Sequence, residues 1–256
     1  MGTVGLVKSK SFFKVEERVG EAYDEGTCAV IYGAPGSEKT YTLESVCAQY
    51  RAVGKEIIFV TCGPRCTESF LYRGIADAAG IPVRSSLRWA CRYAVLAGLR
   101  SRAKLPAIII DEAQFLDLDG LDAARQIHDL THRETHPGCG VILSGSHGLL
   151  QNFVHPQRRL RMEQLLSRFS YRVQLFGMTE KEILTLGARA FGNGKPAVLS
   201  EKHQKALLDA CKVEDPYFIG TDGKPTLRTY YSSRRLIEFV RQQKKRLKFV
   251  VAESMA

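Results

Sequence analysis

Five short runs rich in Val and Ile, each followed by a stretch of helical periodicity, constrain the fold of this chain more than any other feature. The runs are 27–32, 56–61, 107–111, 141–145 and 171–175. They are short and almost continuously apolar, the pattern of strands covered on both faces. Helical patterns occupy Lys39–Arg51, Thr67–Ala79, Arg84–Ser101, Leu121–Arg133 and Gln157–Phe169. Alternation of this kind predicts an α/β domain with a parallel sheet and right-handed crossovers. Beyond Phe176 only helical patterns are expected: Thr179–Phe191, Ser200–Cys211 and a basic helix from about Thr226 to Lys248. The organisation expected is an extension over 1–22, the α/β domain over 23–177, and a small helical lid over 178–256.

The first run leads directly into Gly33-Ala34-Pro35-Gly36-Ser37-Glu38-Lys39-Thr40, followed by Tyr41 and the first helix. A phosphate-binding loop requires G-x-x-x-x-G-K-[ST] between a strand and a helix. Its backbone N–H groups wrap the phosphates and the helix N-terminus adds a favourable dipole. Lys39 would reach the β- and γ-phosphates of a nucleoside triphosphate, and the Thr40 hydroxyl would ligate Mg²⁺. Seven of the eight positions comply, and Glu38 stands where the second glycine is required. A carboxylate about 4 Å from a phosphate is repelled by roughly 4 kcal/mol at an effective dielectric near 20. Three readings follow: a loop that binds the triphosphate with its carboxylate pointed out to solvent, a loop that has lost affinity or hydrolysis, or an ordinary Gly-Ala-Pro-Gly turn that carries no nucleotide.

The third run, Ala107-Ile108-Ile109-Ile110-Asp111-Glu112, ends in adjacent acids. Asp111 would hold Mg²⁺, directly or through water, and Glu112 would polarise an attacking water as general base. The fourth run ends in Ser144-Gly145-Ser146, where Ser146 could orient that water or sense the γ-phosphate. Arg168, within Leu165-Leu166-Ser167-Arg168-Phe169, could serve a neighbouring subunit as an arginine finger.

Lys and Arg number 37 against 27 Asp and Glu, a net charge of +10, which favours polyanionic partners. No acidic residue occurs from Ala79 to Ile110, a segment that carries Arg84, Arg88 and Arg92. Read as part of one helix, these three line a single face at i, i+4 and i+8. Seven scattered cysteines, an odd number, argue against a disulfide framework and fit a reducing cytoplasm. No apolar run approaches the roughly 20 residues of a membrane span, and the first residues lack the pattern of a signal peptide. His128, His132 and His136 share a metal-like spacing, but His136 falls beyond the expected helix end, so no metal role is assigned.

The loop, the box Ile110-Asp111-Glu112-Ala113-Gln114, the Ser146 position and Leu-Ser-Arg-Phe together resemble an AAA+ ATPase. Within that superfamily the chain most resembles the transposition regulators, the B protein of phage Mu and the TnsC and TniB proteins. The resemblance covers about Tyr23 to Phe176 and implies a sheet of order 5-1-4-3-2. It also implies ATP bound between subunits, homo-oligomers as filaments or rings on double-stranded DNA, and recruitment of a transposase. By motif, Arg168 becomes the finger, Ser146 sensor 1, and Arg228 in Thr226-Leu227-Arg228-Thr229 sensor 2. The family grips DNA with elements after the second strand, which here carry Arg65, Arg84, Arg88 and Arg92. Glu38 departs from the family pattern and leaves a non-hydrolysing DNA-binding scaffold as one alternative. A helicase-loader type of AAA+ protein is another.

Overall fold

The computed structural model describes residues 10–131, 137–154, 159–192, 197–219 and 225–253. The chain divides into two compact units, one containing Ser11–Gly33 and Lys39–Leu175, the other Ala34–Glu38 and Phe176–Ala256.

The first unit is built on a parallel sheet of β1 (Ala29–Tyr32), β2 (Ile57–Thr61), β3 (Ala107–Asp111), β4 (Val141–Gly145) and β5 (Tyr171–Gln174). Its order is β2-β3-β4-β1-β5, which from the opposite edge is the expected 5-1-4-3-2. Every residue of β3 and β4 is buried, in keeping with their unbroken apolar sequence and central position. Burying each of Ile108, Ile109 and Ile110 contributes about 1.5–3 kcal/mol. The sequential strands β1 and β2 are not neighbours, because β1 inserts between β4 and β5. In open α/β sheets such a break in strand order opens a crevice at the carboxyl ends of the strands, where ligands bind.

The connecting helices are α2 (Lys39–Ala52), α3 (Glu68–Ala79), α4 (Arg88–Arg100), α5 (Leu118–Thr131), α6 (His147–Val154) and α7 (Arg159–Arg168). Helix α4 starts four residues later than its sequence pattern suggests. Arg84 therefore lies outside it, and only Arg88 and Arg92 share the helix. Ahead of α4 the Ser85 hydroxyl accepts the Leu87 amide, a local bond that competes with helix formation. The residues before β1 form a helix, α1 (Lys10–Glu25), that buries Phe12, Val15, Val19 and Ala22 at a spacing of three or four. Its stripe had not been singled out in the sequence.

The second unit departs from the all-helical expectation. Helices α8 (Glu180–Phe191), α9 (Glu201–Cys211) and α10 (Ser233–Glu253) are joined by an antiparallel pair, β6 (Lys212–Ile219) and β7 (Pro225–Tyr231). The expected start of the last helix near Thr226 is thus corrected to Ser233, and Arg228 lies on a strand. The three helices enclose a core of Ile183, Leu186, Leu207, Cys211, Leu236 and Val240. Thr179 and Glu182 close a capping box at the start of α8. All seven cysteines are free and buried, as their odd count implied. No described helix is long and apolar enough to cross a membrane.

Candidate nucleotide-binding site

Parallel register brings the polar residues of the first unit together. Ile110 of β3 pairs with Leu143 of β4, so Asp111 and Ser144 follow side by side at the strand ends. The Ser144 hydroxyl donates to Asp111 Oδ1 at 2.6 Å, and the Thr40 hydroxyl donates to Oδ2 at 2.6 Å. Asp111 is only 1% exposed. A buried carboxylate needs such donors, and here both of its oxygens have one. Lys39, the first residue of α2, is 8% exposed and donates from Nζ to the Gly33 carbonyl at 2.9 Å.

Immediately after Asp111, Glu112 adopts a left-handed conformation with φ 55°. A non-glycine residue held there carries strain of order 1 kcal/mol, a feature that concentrates at functional sites. The Gln114 amide donates to Glu112 Oε2. Gln114 Oε1 in turn accepts the Ser146 backbone N–H at 3.0 Å. Gln114 therefore joins the two residues expected to handle a water molecule. A Cβ on Gly145 would stand 2.5 Å from Gln114 Oε1, so a side chain there would displace this bridge. Sequence reasoning had missed Ser144 as a partner of Asp111. The signal was its place next to Gly145 at the end of an apolar strand.

The intervening residues, Ala34–Glu38, belong to the second unit. Gly36 takes φ 84° and Glu38 φ 63°, left-handed backbone at two positions of a tight turn. Ser37 is buried, and its N–H donates to the Ala34 carbonyl at 3.1 Å. The Glu38 carboxylate is occupied. Its Oε1 accepts the Ser233 N–H at 2.9 Å, the Ser232 hydroxyl at 3.2 Å and the Arg234 N–H at 3.4 Å. Those amides open α10, so the carboxylate satisfies orphan donors and meets the positive end of the helix dipole. Tyr230, whose hydroxyl burial pushes up to about 12, donates to the Pro35 carbonyl at 2.6 Å. Tyr41 is exposed.

The donor set suits a nucleoside triphosphate with Mg²⁺: an ammonium held at the Gly33 carbonyl, and a hydroxyl and a carboxylate already bonded to each other. Hard oxygen ligands of this kind are what Mg²⁺ takes.

The remaining expected residues lie elsewhere. Arg168 ends α7, just before the start of β5, whereas Asp111 closes β3. In a parallel sheet those are opposite ends. Arg168 Nε donates to Asp129 Oδ1 of α5 at 2.8 Å. Burial would raise the Asp129 carboxyl, but this bond and the charges of Arg168 and Arg125 hold it below the usual carboxylate range. Arg228 on β7 places its guanidinium 3.8 Å from the centre of the Phe176 ring. Arg65, at φ 59°, and Arg84 are exposed in loops, and Arg88 forms an exposed pair with Glu68 at 3.4 Å. His128 bonds the Cys139 carbonyl, while His132 and His136 lie outside the described residues.

A family model described as "AAA domain" matches residues 22–153, more than half of the 256. The chain belongs to the AAA domain family. No curated protein sequence matches it. Among solved structures, this AAA domain is similar to the ADP form of the ORC2 protein of Aeropyrum pernix, with 15% identity and a TM-score of 0.61 over 82% of this chain and 59% of that one. The ORC1 protein of the same organism, solved in complex with DNA, gives 18% identity and a TM-score of 0.54 over 70% of this chain and 48% of that one. A Walker-type ATPase of Pyrococcus abyssi gives 14% identity and a TM-score of 0.56 over 97% and 75%. At these identities the likeness is one of fold. The chain spans about half the length of the first two ORC structures it matches.

Proposed function

We propose that this AAA domain protein binds ATP with Mg²⁺, assembles as a homo-oligomer on double-stranded DNA in the cytoplasm, and directs a transposase to its target. The observation that carries the nucleotide part is the triad of Thr40, Asp111 and Ser144 beside a buried Lys39. Gly33 through Tyr41 supply the loop, with Lys39 on the phosphates. Thr40 and Asp111 hold Mg²⁺, which when bound offsets charge on the phosphate oxygens. Glu112 accepts the proton of the attacking water, and Gln114 orients both Glu112 and the backbone at Ser146. Arg168 acts in a neighbouring subunit, exchanging Asp129 for the phosphates there, and Arg228 serves as the lid arginine.

Glu38 favours this reading over a scaffold with a dead site. Its carboxylate is engaged by the first turn of α10, so the like-charge repulsion expected from the sequence is relieved. The DNA part rests on the acid-free segment with Arg84, Arg88 and Arg92, together with Arg65, as phosphate contacts indifferent to sequence.

Calorimetric titration with ATP and Mg²⁺ in the presence of duplex tests the core of the proposal. Binding heat in the parent and none in Lys39→Ala is expected. Absence of heat in the parent overturns it. Affinity capture with a transposase and with a replicative helicase, run in parallel, tests the partner; capture of the helicase alone would replace it with a loader.

A further inference from the structure

Helix α4 exposes what a soluble helix ordinarily hides. Trp89 is 70% exposed and Tyr93 72%, and they stand one turn apart on the same face. The core-facing residues of α4 are Cys91, Val95 and Leu99, so neither ring belongs to the packing of the sheet unit. Arg88 and Arg92, also one turn apart, form the adjoining strip, and Arg84 lies just ahead of the helix. Among the described residues, Glu68 of α3 is the one carboxylate bonded to this group, through an exposed contact of 3.4 Å to Arg88. Such a pair is worth little and is easily exchanged for another anion.

We infer that the exposed face of α4 is a stacking platform for unpaired nucleotide bases, with Trp89 and Tyr93 taking the rings and Arg84, Arg88 and Arg92 the phosphates. This rests on the DNA-binding reading above and narrows it. Phosphate contacts alone would call for the arginines and leave the two aromatic rings unexplained. Single strands offer both groups at once: a charged backbone and ring faces free of their neighbours. A second copy of this chain is a poor occupant, because it brings another +10 of net charge to a face that is already basic.

Trp89 is the chain's one tryptophan, so its emission reports on this face alone. The full-length protein is titrated with labelled oligothymidylate and with a duplex of equal length. Anisotropy of the label and Trp89 fluorescence are read separately. The expected result is strong quenching by the single strand and little by the duplex. Trp89→Ala and Tyr93→Ala are each expected to lose about tenfold in single-strand affinity, in line with base stacking on an aromatic. Trp89→Phe should keep most of it, and all three variants should hold duplex affinity within about twofold of the parent. Arg84→Ala with Arg88→Ala should weaken both and flatten their salt dependence.

Saturation by single strand with unchanged Trp89 emission overturns the inference. So does unchanged affinity in both alanine variants. If the duplex binds but the single strand binds no better in parent than in Trp89→Ala, only the stacking platform fails, and a protein partner becomes the occupant to seek. If neither polymer binds, the DNA-binding reading fails with it.

Discussion

Asp111 and Glu38 are both carboxylates bonded to two or more donors, yet the fold uses them in opposite ways. Asp111 sits at the end of a buried strand with two hydroxyls on it, those of Thr40 and Ser144. Glu38 sits in a loop at positive φ and spends its charge on the first amides of a helix. One carboxylate is held by side-chain hydroxyls. The other is drawn off to a helix end. An acid in such a loop can thus be claimed by other donors of the fold, and its surroundings cannot be judged from its charge alone.

The contrast can be broken most severely at Asp111. Asp111→Ala strands the buried Ser144 hydroxyl and the half-buried Thr40 hydroxyl and should cost about 3 kcal/mol in urea unfolding, with loss of Mg²⁺-dependent nucleotide affinity by calorimetry. At Glu38 the side chain and the backbone can be separated. Glu38→Ala loses the helix cap and keeps the strained φ, a cost of about 1–2 kcal/mol. Glu38→Gly also loses the cap but suits φ 63°, so the relief of strain should return about 1 kcal/mol and leave stability near the parent value. Equal destabilisation by the two substitutions would show that strain at this position is negligible. Ser144→Ala removes one donor from Asp111 and should cost about 1 kcal/mol by the same unfolding measurement.

The smallest effect is expected at Arg168, whose pair with Asp129 is half exposed. Arg168→Ala should change stability by less than about 1 kcal/mol at neutral pH. The Asp129 carboxyl should nonetheless move up. In the parent it is held below its unfolded value, so its contribution is present above the unfolded pKa of about 3.9 and fades as pH falls through the lower, folded value. In Arg168→Ala that loss should begin at higher pH, as NMR titration of the Asp129 carboxyl would record.

The sheet was legible because buried parallel strands write themselves as unbroken apolar runs. The hairpin β6–β7 was missed. Tyr217-Phe218-Ile219 and Thr226 through Tyr231 flank Asp222-Gly223, a hairpin signal overridden by the basic, helix-favouring sequence that follows. The bonds of Glu38 were not foreseeable, since its partners lie 194 to 196 residues away. Ser144 was hidden for a different reason. Its role follows from the pairing of β3 with β4, and register between strands 33 residues apart has no local signature. The helical face assigned to Arg84 failed because the helix starts only at Arg88, behind a local bond from the Leu87 amide to the Ser85 hydroxyl.

Glu38 gives the loop a built-in reporter. The Ser233 and Arg234 amides both donate to this carboxylate. An occupant that reshapes residues 34–38 and draws the carboxylate away should therefore change the deuterium uptake of two peptide groups almost two hundred positions downstream. The state of the loop can be followed there without a label placed anywhere near it.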